Sequence, residues 1–172
     1  MKVFFDTEFT AFRDGRLLSA GFISEDGREA YFEIPGDGLN RDCNDWVRAN
    51  VLSQFDLLPD CAAGSTAGLG ERVARYLLAF DGPVELCCDY KLDERFLVAA
   101  LEQSQTWAVV RERVTFVNIA DELRDDASVE AAKVASFAES APRLGVHHAL
   151  ADARALCAAW LARPIRRLAR ND

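Results

Sequence analysis

Lys2-Val3-Phe4-Phe5-Asp6-Thr7-Glu8-Phe9 opens the chain, and its reading decides the fold. The β-branched and aromatic run Val3 to Phe5 favours an extended strand buried in a core. Period-two alternation then puts Asp6 and Glu8 on the same face at the far end of that strand. Two more strands follow in the same register of apolar residues, Leu17 to Ser24 and Glu29 to Ile34. Asp14-Gly15 and Asp26-Gly27 fall in the gaps, and D-G between apolar runs signals a hairpin. A three-stranded antiparallel meander is expected.

Beyond Pro35 the texture changes to Gly, Asp and Asn, and then Trp46, Val47, Val51, Leu52 and Phe55 recur at the spacing of a short amphipathic helix. A loop is expected near Gly64 to Gly70. Leu69, Val73, Tyr76, Leu77 and Phe80 mark a helix that Gly82-Pro83 ends, and Val84 to Cys88 reads as a buried strand. Asp93 to Ser104 is helical by its stripe of Phe96, Leu97, Ala100 and Leu101, Val114 to Ile119 is a further strand, and a third helical stretch follows. Ala149 to Ala162 is the last helix, closed by Pro164. A meander followed by alternating helices and strands describes one mixed α/β sheet in a single domain spanning residues 1–172, with a basic tail from about Arg163.

The composition narrows the function. With 172 residues, half of them apolar and 28% charged, the chain has the make-up of one folded domain rather than of a disordered segment. No run approaches the length of a spanning segment, and the first strand reaches Asp6 too soon for a signal peptide, so a cytoplasmic protein with no membrane association is expected. Twenty basic against 28 acidic residues give a net charge of −8. Such a surface repels phosphate backbones, so any nucleic acid must be held by a local basic patch or by bound cations. Five cysteines without C-x-x-C spacing read as reduced thiols rather than disulfides or a zinc cage.

Three groups of residues could carry chemistry. Asp6 and Glu8 end an apolar strand where a core meets a cleft, and carboxylates buried there without a cation are costly. Chance alone supplies about one D-x-E in a chain with this many acids, so the pair has weight only through its context. His147 and His148 are the chain's two histidines, and Asp152 follows His147 by five positions at the start of the last helix. A metal ligand and a proton-transfer group could share that site, whereas His148 reads as a surface residue without a chemical role. Asp89 and Asp93 stand four apart after a buried strand, at the crevice position of an α/β sheet, where either could reach the same cleft.

Asp6-x-Glu8, Asp93 before Phe96-Leu97, and His147-x-Ala149-x-x-Asp152, in that order, resemble the three motifs of the DEDDh branch of 3′-5′ exonucleases. Asp6-Thr7-Glu8-Phe9, Glu25-Asp26-Gly27-Arg28-Glu29 and Trp46-Val47-Arg48 with Val51-Leu52 are similar to the small mycobacterial-type 3′-5′ exoribonucleases in particular. The resemblance runs from Lys2 to about Leu161. It implies a ribonuclease H-like α/β fold, with three antiparallel strands, then parallel strands alternating with helices, and helices on both faces. It further implies hydrolysis of phosphodiester bonds from the 3′ end of single-stranded nucleic acid, RNA favoured over DNA, releasing nucleoside 5′-monophosphates.

In that reading Asp6, Glu8, Asp93 and Asp152 hold two divalent cations, Mg²⁺ or Mn²⁺, and His147 is the general base. Phe9, Thr10 and Thr7 would meet the substrate, Phe9 either stacking on terminal bases or serving the core. A homodimer is implied as well, with Arg48 or the cluster Arg163, Arg166, Arg167 and Arg170 flanking the partner's cleft. Two departures stand out. Cys88-Asp89 replaces the His-Asn of many members, leaving Asp89 as an alternative to Asp93 for the third carboxylate, and Ala11 stands where a glycine is frequent. Two other classes fit the same residues: a non-catalytic module of that fold that binds nucleic acid or protein, and a hydrolase of small nucleotides or dinucleotides.

Overall fold

A computed structural model describes residues 1–35, 41–124, 126–140 and 143–164. The first strand, β1 (Lys2–Phe9), pairs antiparallel with β2 (Leu17–Ser24), which pairs antiparallel with β3 (Glu29–Glu33). The hairpin signals act as expected at both turns, where Asp14 (φ 54°) and Gly27 (φ 84°) take up left-handed backbone. Helix α1 (Asp45–Asn50) is capped by Asn44, whose Oδ1 accepts the Val47 N–H at 2.9 Å, and a 3₁₀ turn over Leu52–Gln54 follows it.

Helix α2 (Thr66–Leu78) begins inside the expected loop at Gly64 to Gly70, because the Ser65 Oγ accepts the Gly68 N–H at 3.0 Å and starts the helix there. Then come β4 (Val84–Cys88), α3 (Lys91–Leu101), the short α4 (Trp107–Val110) and β5 (Val114–Asn118). The third helical stretch is two helices, α5 (Ala120–Leu123) and α6 (Ala127–Ser140). The last helix is α7 (Ala149–Ala162), with the bounds expected from sequence.

The five strands form one mixed sheet in the order β3-β2-β1-β4-β5, with β4 parallel to both β1 and β5. Each parallel step is bridged by helices, as parallel neighbours require. Alternation along β1 divides the core between the two faces. Val3 and Phe5 pack with Leu69, Val73 and Leu77 of α2 and Leu97 of α3, while Phe4 packs with Val129 of α6 and Leu156 of α7. Helices therefore cover both faces, and each fully buried phenylalanine contributes about 2–3 kcal/mol of transfer free energy.

All five cysteines are buried free thiols. Among the described residues no helix is long and apolar enough to cross a membrane. Of the arginines expected to serve a partner subunit, Arg166, Arg167 and Arg170 lie outside the described residues. Arg48 pairs with Asp45 at 2.7 Å on its own helix, and Arg163 lies over the Trp160 ring.

Candidate active site

Three element ends meet at one edge of the sheet. Asp6 and Glu8 share the face of β1 that carries Phe4, so they point to the side covered by α7, as the alternation requires. Asp152 stands in the first turn of α7 and Asp93 in the first turn of α3, where the N-terminal end of a helix dipole favours an acid. A cleft of about 400 Å³ is lined by all four carboxylates, together with Asp89 and His147.

Local hydrogen bonds fix the positions. The Asp152 carboxylate accepts the His147 backbone N–H at 2.9 Å, which holds His147 at φ 67°, a left-handed conformation rare for a residue with a Cβ. The His147 ring stands edge-on to Trp46, 4.7 Å between centroids. His148 turns the other way and is buried. Its Nδ1 accepts the Leu150 N–H at 3.3 Å, its carbonyl accepts the Asp152 N–H at 3.0 Å, and its ring stacks on Tyr31 at 4.3 Å. Burial pushes its pKa down to about 4, so the ring is neutral and Nδ1 is free to cap α7. His148, expected at the surface, is instead 2% exposed, because its ring caps α7 and stacks on Tyr31.

Asp93 is 2% exposed, and its Oδ1 accepts the Thr7 hydroxyl at 2.7 Å. Thr7 lines the cleft, but its hydroxyl is spent on positioning Asp93. Thr10 is buried too, its Oγ1 accepting the Arg16 N–H at 3.0 Å to close the β1–β2 turn. Both hydroxyls thus make hydrogen bonds within the chain, and both residues line the cleft. Phe9 packs against the core, stacking on Phe96 at 4.7 Å, and also lines the cleft. Asp89 pairs with Lys133 of α6 at 3.6 Å and is partly exposed, whereas Asp93 is buried.

The electrostatics follow from the crowding. Burial raises Asp6 well above the carboxylate range, and the charges of Asp93, Asp152, Glu8 and Asp89 add to it in that order. Burial, Asp152 and Asp93 push Glu8 up to about 8, and a hydrogen bond with Asp152 keeps the proton on Glu8. Asp93 and Asp152 are each pushed up to about 7, mainly by burial; the Thr7 and His147 hydrogen bonds to them act in the opposite sense. Burial lowers His147 below its ordinary value.

A site of mutually repelling carboxylates is a site that favours a cation. Glu8, His147 and Asp152 could hold a metal ion, one ligand atom from each lying within 4.8 Å of the others. Asp6 and Asp93 line the same cleft without joining that group of three. The structure thus brings all five expected residues together, and puts His147 among the candidate ligands as well as beside them.

One consequence can be read in a thermal melt. Between roughly pH 4 and pH 8 the native protein holds protons that the unfolded chain has released, so stability falls as pH rises through that window. Without metal, Tm is expected to drop by on the order of 10 °C from pH 5 to pH 8, and saturating Mn²⁺ is expected to restore it at the upper pH. A Tm that is flat with pH and indifferent to Mn²⁺ would show that the carboxylates are not held together.

Several cleft residues escaped the sequence reading. Phe12 (72% exposed), Trp46 (52%) and Tyr90 (47%) line the cleft as exposed rings. Trp46 falls on the apolar stripe expected of a helix, and nothing in the spacing reveals that it faces outward. Phe12 had a signal, since it is an aromatic residue in a hairpin loop with no strand to bury it. Lys133 had none. Comparison of the chain with protein-family models and with curated proteins found no match.

Proposed function

We propose that the protein is a metal-dependent 3′-5′ exonuclease of ribonuclease H-like fold. It would release nucleoside 5′-monophosphates from the 3′ end of single-stranded nucleic acid, RNA favoured over DNA. The observation that carries this reading is the convergence of Asp6, Glu8, Asp93, His147 and Asp152 from β1, α3 and α7 into one cleft, with three of them spaced to hold a cation. The sheet order β3-β2-β1-β4-β5, with an antiparallel half and a parallel half, supports it.

Oxygen-rich ligands suit Mg²⁺ or Mn²⁺. Held by Asp6, Glu8, Asp93 and Asp152, two such cations would supply charge stabilisation for the equatorial phosphate oxygens and the departing 3′ oxygen. The rest falls to side chains. His147, neutral at pH 7, can accept a proton from the attacking water, and Trp46 against its ring restricts where the imidazole points. Thr7 fixes Asp93 through its 2.7 Å hydrogen bond. Phe9, Phe12 and Trp46 offer faces on which unpaired bases can stack. A homodimer belongs to the same reading.

The net charge of −8 and the single lysine among the described residues of the cleft favour one second reading, a hydrolase of dinucleotides or other small nucleotides, which needs no basic groove. One assay tests both. With 5′-labelled single-stranded RNA and DNA oligomers and a dinucleotide, each with Mn²⁺ and with chelator, the expected result is a ladder shortening from the 3′ end of RNA that chelator abolishes. Cleavage of the dinucleotide alone would favour the second reading. No cleavage of any substrate by protein that binds Mn²⁺ would leave a binding module.

A further inference from the structure

Lys133 is out of place in this cleft. The described residues that line it include the acids Asp6, Glu8, Asp89, Asp93 and Asp152 and one basic side chain, Lys133. Its side chain is 28% exposed, so the ammonium has given up much of its hydration. In return it has one ion-pair partner among the described residues, the Asp89 carboxylate, at 3.6 Å. That distance exceeds an N–H···O hydrogen bond, so the pair supplies attraction without satisfying the ammonium's three donors. A partly desolvated cation with donors to spare thus stands in a cleft whose acids repel any polyanion.

We infer that Lys133 is a specificity-determining residue that grips a phosphate of the substrate strand other than the one being cut. The inference rests on the exonuclease reading. Cations at the carboxylates would hold the scissile phosphate, but the next phosphate along the strand lies one nucleotide away and needs a positive partner of its own. Lys133 reaches the cleft from α6, an element that contributes none of the five site residues, so it stands on a separate wall. Asp89 is the stand-in anion. It keeps Lys133 turned into the cleft until a phosphate takes its place, and it ranks last among the charges felt by Asp6.

This assignment separates from a simpler one in which Lys133 only neutralises Asp89. The test compares wild type, Lys133→Met, Lys133→Arg, Asp89→Asn and the double variant Asp89→Asn/Lys133→Met. Each is measured for steady-state cleavage of labelled RNA and for equilibrium binding of a cleavage-resistant phosphorothioate oligonucleotide over a range of KCl. Lys133→Met is expected to raise KM and weaken binding about tenfold, with kcat changed much less. The slope of log affinity against log salt should lose about 0.7, the share of one phosphate contact on a single strand. Lys133→Arg should retain binding.

The decisive arm is the double variant. If Lys133 grips phosphate, removing it still weakens binding when Asp89 is already neutral. If its effect vanishes in the Asp89→Asn background, or the salt slope does not change, the inference is overturned while the exonuclease reading stands. A wild-type protein that neither cleaves nor binds any oligonucleotide overturns the exonuclease reading, and this inference with it.

Discussion

Asp152→Asn is expected to abolish metal-dependent turnover while leaving the fold intact. Asp152 has three duties: it shares a proton with Glu8, it accepts the His147 N–H at 2.9 Å, and it is one of the three residues spaced to hold a cation. An asparagine Oδ1 can still accept the His147 N–H, so the strained loop keeps its anchor. What is lost is the charge. A neutral amide is a poor ligand for a hard cation, and cleavage should fall by three orders of magnitude or more, on the scale set by removing a group that acts as part of a catalytic unit.

The same substitution relieves repulsion in the metal-free protein. Asp152 raises both Asp6 and Glu8, so its neutralisation should lower the pKa of each and raise the Tm of the metal-free protein at pH 8 by several degrees. Calorimetric titration with Mn²⁺ should show weakened or lost uptake. A variant that is more stable without metal yet inert is the signature of a site, and a variant that melts early would mean that Asp152 is structural. Cleavage at the wild-type rate would remove Asp152 from the machinery altogether.

Gly21→Ala should cause a large loss of stability from the addition of one methyl group. A Cβ on Gly21 would lie 2.2 Å from the Leu150 nitrogen, 2.3 Å from the Ala149 carbonyl carbon and 2.4 Å from the Leu150 Cα. These are backbone atoms of the first turn of α7, and they cannot swing aside as a side chain can. The helix start must lift off the sheet. Gly21 is also the register partner of Asp6, so the point where α7 touches β2 lies beside the point where Asp152 meets the β1 carboxylates.

The expected cost is about 3 kcal/mol, the upper range for overpacking, or a fall in Tm of roughly 10 °C. Mn²⁺ binding should weaken as well, since lifting α7 draws Asp152 away from Glu8. Gly27→Ala is the control. It carries the strain of φ 84° but has open space around it, so it should cost about 1 kcal/mol and leave Mn²⁺ binding unchanged. Equal Tm losses for the two variants, with metal uptake preserved in both, would show that close approach at Gly21 does not build the site.

Much of this was legible without coordinates, and the reason is local. The alternation in Val3 to Phe9 settles which β1 side chains share a face, and the same arithmetic puts Asp6 and Glu8 together in the structure. D-G pairs between apolar runs gave the meander, and the apolar stripe of Ala149 to Ala162, closed by Pro164, gave α7 with its observed bounds. The expected strand Glu29 to Ile34 exceeds β3 by one residue, and the expected helix Asp93 to Ser104 starts two residues late and ends three late, because the ends of elements depend on caps and packing rather than on periodicity.

Between Asp89 and Asp93 the spacing could not choose, since residues four apart occupy one helical face. The structure separates the two by burial. Asp93 lies under the Thr7 hydroxyl, while Asp89 turns to Lys133 on a helix more than forty positions away in the chain. Trp46 and Phe12 illustrate the same limit, because an aromatic residue's outward face is set by what fails to cover it.

The sequence by itself determined the order of the five strands and of the longer helices between them, the shared face of Asp6 and Glu8, the start of the helix bearing Asp152 and the acidic surface, all consequences of neighbours within a few positions. The tertiary structure alone decided that Gly21 admits α7 to the sheet, that Thr7 serves Asp93, that His148 is a buried cap and that Lys133 enters the cleft. Each of these joins residues distant in the chain, and such contacts depend on how whole elements pack, which no local periodicity encodes.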